Sequence, residues 1–201
     1  PGALGQVASR IGAVRGDVIG IDILERGGGN AIDELTVSLP EDGLVDLLVA
    51  EIRQVDGVAV EDVRSVSAAR PDPGTAALIV AADLAEASPD VRVRVFCEHL
   101  RELVDGEWCV AMAVDGGVLS SAGPVPDLGW LNAFIEGSRH LDAASDTTPG
   151  DIVWTRLDRM GVVFASGRAG RPFHARERQQ VSLLGRIADA LDGVVATGPV
   201  A

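Results

Sequence analysis

Pro1-Gly2-Ala3-Leu4-Gly5, leading through a helical stretch to Val18-Ile19-Gly20-Ile21-Asp22-Ile23-Leu24, decides how the first third of the chain is read. Proline is tolerated in the first turn of a helix, and glycine lets a ligand come close to the backbone. Exposed N–H groups at Gly2, Ala3 and Leu4 would then hold a carboxylate without any charged side chain. Leu4, Val7, Ala8, Ile11 and Val14 recur every three or four residues, which predicts one apolar helix face ending near Arg15-Gly16. Ile19, Ile21 and Ile23 then alternate with Gly20, Asp22 and Leu24, the period of a half-buried strand.

Gly27-Gly28-Gly29-Asn30 supplies residues that accept positive φ, and Leu35, Val37 and Leu39 alternate again, which predicts a hairpin. Pro40 stops the second strand and Asp42 is placed to cap a helix with Leu44, Val45, Leu48, Ile52 and Val55 on one side, closed by Gly57. Val58 to Val66 is expected to be a last strand. Helix, strand, strand, helix, strand is the ferredoxin-like βαββαβ plan without its first strand. Lack of that central strand would leave two unpaired edges, so residues upstream of Pro1 are expected to supply it.

The Pro-Gly-Ala-Leu-Gly turn, the helix and Gly16-Asp17-Val18-Ile19-Gly20-Ile21 resemble an ACT domain, a small-molecule regulatory module, over residues 1–67. The resemblance implies that Gly2, Ala3 and Leu4 offer backbone amides to an amino acid, commonly between two copies of the domain. It also implies that Asp17, Val18 and Ile19, at the start of the following strand, form the opposing wall. Asp22 is a further candidate for the ligand's ammonium group, against the plainer reading of an exposed strand carboxylate.

Ala68 to Gly74 carries two prolines and a glycine, and reads as a linker. Beyond it the pattern predicts helices from Thr75 to Ala87 and from Asp90 to Val104. An apolar strand from Trp108 to Val114 turns at Asp115-Gly116-Gly117 into Val118–Ala122. A helix from Leu128 to Leu141, a polar loop over 142–150, strands at 152–157 and 161–166, and a helix from Ala175 to Leu191 follow. Residues 194–201 form a tail. The run Gly161-Val162-Val163-Phe164-Ala165-Ser166-Gly167-Arg168, with Arg171-Pro172-Phe173 and the closing helix, resembles a GAF domain over about 75–193. The resemblance implies a PAS-related antiparallel sheet flanked by helices. His174 stands where that family has a capping hydroxyl, and Glu177 keeps the third position of a capping box. The fold class expected overall is α/β, of the α+β kind.

A net charge of −13 argues against nucleic acid, whose phosphates such a surface repels. All 17 positive charges are arginine. No apolar run reaches the ~18 residues of a membrane span, and no signal-peptide pattern is present, which points to the cytoplasm. Cys97 and Cys109 sit in apolar runs and read as buried thiols, with a disulfide left open; no metal-ligand spacing and no cofactor motif is found.

The three histidines, His99, His140 and His174, have ordinary helix-end or surface explanations. The Pro1 amine is a weak candidate for a tautomerase-type base, because those chains run from proline into a strand, not a helix. Arg168, Arg171, Arg176 and Arg178 form a basic cluster that reads either as a phosphate or partner site or as solvated turn residues. Trp108, Trp130 and Trp154 read as pocket lining or as core. Together these features predict a non-enzymatic regulatory protein: an amino acid sensor, homodimeric, coupled to a GAF-like unit and acting on a regulated protein. A ligand-free docking or dimerisation module is the alternative, and a small enzyme the third.

Overall fold

The computed structural model describes residues 2–137 and 150–192. It is a mixed α+β protein, with two antiparallel sheets among the described residues, and it divides into two compact units, Pro1–Arg70 and Pro71–Ala201. Pro1, His140, most of the 142–150 loop and the tail lie outside the described residues.

In the first unit, α1 (Ala3–Ala13) buries Val7 and Ile11, and these pack with Val14, Leu48 and Val55 into a small core. Strand β1 (Asp17–Gly27) pairs antiparallel with β2 (Asn30–Ser38) through a turn at Gly28 and Gly29, whose φ values of 58° and 88° suit residues without a Cβ. Val18 lies opposite Val37, and both pack against the core. The ladder shifts between Val18 and Gly20, so Ile19 is an extra residue and the pairing resumes one step out of phase, with Ile21 opposite Leu35. The alternation is present, with the isoleucines in its outward positions: Ile19, Ile21 and Ile23 are 59%, 48% and 39% exposed, while Val18, Gly20, Asp22 and Leu24 are half-buried.

A 3-10 turn over Asp42–Leu44 leads into α2 (Val45–Ile52). Asp42 makes no side-chain cap there; it lies inside the 3-10 turn, after Glu41 at the N-cap position. Val58 to Val66 is not a strand either. In the ferredoxin-like plan the closing strand pairs only with the first one, and the described residues offer no such partner. The segment is held instead by Arg64, which reaches Glu34 of β2 at 3.1 Å and Asp62 at 3.3 Å.

The second unit opens with α3 (Pro73–Glu86), so the final residues of the expected linker are already helical. Asp72 is the N-cap: its carboxylate accepts from the N–H groups of Gly74 and Thr75, with Pro73 at the first helical position. After α4 (Pro89–Leu103) come β3 (Trp108–Ala113), β4 (Val118–Ala122), α5 (Leu128–Gly137), β5 (Ile152–Leu157), β6 (Val162–Gly167) and α6 (Ala175–Asp192). The sheet order is β4-β3-β6-β5, antiparallel throughout.

This sheet is covered on both faces, which explains its unbroken apolar runs. Cys109, Ala111, Val153, Val162 and Phe164 meet Leu84 of α3, Phe96 and Leu100 of α4, and Val181 and Leu184 of α6. The alternate residues Trp108, Val110, Met112, Val163 and Ala165 meet Leu131 and Ile135 of α5.

Candidate functional site

Gly2 is exposed and adopts φ 98° and ψ −9°, a left-handed turn at the N-cap of α1. No side chain caps this helix, and its first turn contains no acidic residue. The first backbone bond runs from the Gln6 N–H to the Gly2 carbonyl at 3.1 Å. The N–H groups of Ala3, Leu4 and Gly5 precede that bond and have no partner within the helix, so they present the positive end of its dipole. A Cβ at Gly2 would touch nothing within 4 Å; only the positive φ demands glycine.

Within one chain, Asp17, Val18 and Ile19 lie away from this turn. They follow the C-terminal end of α1, whose 11 residues separate them from Gly2 by about 16 Å along the axis. Asp17 and Ile19 are exposed, and Val18 packs towards the core. Asp22 is half-buried, opposite Glu34, and has an interaction of its own. The predicted turn and its wall are thus at opposite ends of one helix.

In the second unit three of the four clustered arginines are held by the fold. Arg168 is buried at 6% exposure and donates to the carbonyls of Val104, Arg171 and Pro172, pairs with Glu177 at 2.8 Å, and lies 4.0 Å over the Phe173 ring. Arg178 reaches the carbonyls of Phe173 and Ile152, and Arg171 pairs with Asp105 at 2.7 Å. Glu177 also accepts from the His174 N–H at 2.9 Å, one half of a capping box at the start of α6. His174 is buried there, and His99 lies 3.2 Å from Asp83 of α3.

Trp108 is core and Trp154 half-buried, whereas Trp130 is half-exposed and stacked on Phe134 with ring centroids 5.8 Å apart. An open cleft of about 430 Å³ lies near the start of α5, lined by Val110, Val118 and Ser121 of the sheet and by Val125 to Leu128. Sequence reasoning missed it. Its one signal is Pro124-Val125-Pro126-Asp127, where two prolines precede Asp127, which caps α5 by accepting from the Trp130 N–H at 2.8 Å.

Among the described residues no cluster of three or more potential metal ligands occurs, and no helix is long and apolar enough to cross a membrane. No protein-family model matches the chain, and no curated protein or solved structure matches it either.

Proposed function

We propose that this chain is a non-catalytic regulatory sensor that binds an amino acid through its ACT-like first unit and passes the state of that site to its GAF-like second unit. The observation that carries this reading is the left-handed, uncapped and exposed Gly2 turn at the start of α1. A carboxylate placed there meets the N–H groups of Ala3 and Leu4 and the positive end of the helix dipole. The ligand's ammonium group needs an acceptor that the turn lacks. In a homodimer the Asp17–Ile19 segment of a second copy supplies it, and ligand binding then favours assembly. The compartment in this reading is the cytoplasm, and the output is a regulated protein.

The test is a thermal-shift screen of the chain against the twenty amino acids and common nucleotides. A ligand at ~100 times its dissociation constant adds about 2.7 kcal/mol. Stabilisation by one or a few amino acids, lost in Gly2→Val and kept in Gly2→Asn, is the expected result, because asparagine tolerates a left-handed backbone and valine does not. A response that survives Gly2→Val overturns the site, and a response to nucleotides alone moves binding to the second unit.

The other reading is a ligand-free docking or dimerisation module, favoured by the outer face of α3. Leu78 is 72% exposed and Ile79 47%, and Ala82 and Ala85 lie along the same exposed side. No response to any amino acid or nucleotide, together with a stable dimer, would select this reading.

A further inference from the structure

We infer that the open cleft beside β4 binds a small primary amine carried on an apolar body, with the ammonium group held at Asp127. The cleft lies within the second unit and does not depend on the Gly2 turn.

A bulge makes the cleft. Met112 lies opposite Val118 and Ala111 opposite Ser120, so Leu119 is an extra residue in β4. Val110 and Met112 belong to the sheet face packed by α5, whereas Cys109 and Ala111 belong to the other face. Residues directly opposite each other on paired strands share a face. Val118, opposite Met112, and Ser121, opposite Val110, therefore both stand on the α5 face, although three positions separate them. Helix α5 seats Leu131 and Ile135 with Val110, Met112 and Val163 of the inner strands. The β4 end of that face stays open, with Val118 44% exposed and Ser121 exposed. The Val125–Leu128 segment walls the opening.

The volume of about 430 Å³ falls in the usual span of small-molecule sites, roughly 300–1,000 Å³. The lining is apolar apart from Ser121 and Asp127. One Asp127 oxygen, Oδ1, accepts from the Trp130 N–H at 2.8 Å. Among the described residues, Oδ2 and the Ser121 hydroxyl have no hydrogen-bond partner. An ammonium group brings three donors and asks for no acceptor, which suits a carboxylate oxygen and a hydroxyl oxygen. The sign of the site follows from magnitudes. The start of α5 contributes roughly half a positive charge, and the Asp127 carboxylate a full negative one. A net charge of −13 on the chain adds to the attraction for a cation. An amino acid, which carries its own carboxylate, is a poor match here.

The experiment titrates the full chain with hexylamine, 1-hexanol and hexanoate at pH 7 and follows backbone amide shifts by two-dimensional NMR. Hexylamine is expected to saturate, with the largest shifts at Val118, Ser121, Asp127 and Leu128. It should bind about tenfold tighter than hexanol, and hexanoate more weakly than either. Asp127→Asn keeps the helix cap, since asparagine caps as well as aspartate, and should bring hexylamine down to the affinity of hexanol. Ser121→Phe fills the cleft from an exposed position and should abolish binding of hexylamine and hexanol alike. Lack of saturable hexylamine shifts at the cleft overturns the inference. Equal affinity for hexylamine and hexanol, or unchanged hexylamine binding in Asp127→Asn, overturns the choice of an amine. Binding that survives in a folded Ser121→Phe variant places the site elsewhere and also overturns it.

Discussion

Arg168 shows how much one side chain decides in the second unit. Its guanidinium joins the end of α4 through the Val104 carbonyl, the loop after β6 through Arg171 and Pro172, and the start of α6 through Glu177. A buried arginine is tolerable only when its donors are matched, and here carbonyls and a carboxylate match them. Arg168→Leu should cost ~3 kcal/mol in urea unfolding, because Glu177 is left part-buried without its cation. A loss under ~1 kcal/mol would show that the network is replaceable. The same scale explains why sequence proximity misled: four arginines within a few residues look like a surface patch, but Arg168, Arg171 and Arg178 are held by carbonyls or acids of the surrounding fold.

At the scale of elements, caps and close contacts set where helices begin and how they seat. The Thr75 hydroxyl and N–H, with the Gly74 N–H, hold the Asp72 carboxyl below its usual value of 3.8. A depressed carboxylate contributes stability above its unfolded pKa and loses it as pH falls through the folded one. The stability gap between the natural chain and Asp72→Asn should therefore be open at pH 7 and close below about pH 4, as read by urea midpoints at both pH values. A gap that persists in acid would assign the effect to packing. Further along, a Cβ at Gly185 of α6 would run into the Thr155 side chain of β5. Gly185→Ala should cost ~1–3 kcal/mol despite the better helix propensity of alanine, and Gly185→Ala with Thr155→Ser should recover part of it.

For the whole molecule, the two units differ in how much they bury. Among the described residues, the first packs Val7, Ile11, Val14, Leu48 and Val55 under a two-stranded sheet, while the second buries both faces of a four-stranded one. A two-stranded sheet is weak unless packing supports it. Amide hydrogen exchange should thus show β3 and β6 as the most protected strands and β1 and β2 exchanging through a lower-energy opening, at least tenfold faster. Equal protection in both sheets would mean that something further supports the first unit.

Much of the element order was legible in the chain itself. Alternation located β1 and β2, apolar continuity located β3, and three- to four-residue spacing located α1, α4 and α6, because local backbone periodicity writes itself into the order of apolar residues. A turn at Gly2 opening α1 was legible from Pro1-Gly2, while its left-handed φ was not. Partners were not. Val58 to Val66 has the pattern of a strand and lacks a neighbour to pair with. The isoleucines of β1 alternate correctly but take the outward positions, beside a bulge at Ile19 that no pattern announces. Within one chain, Asp17 to Ile19 stand a helix length from the Gly2 turn. The burial of Arg168 and the cleft before α5 join residues far apart in sequence. Only the packing of distant elements against one another decides them, since spacing along a chain carries no information about which distant segment will supply a donor, an acceptor or a wall.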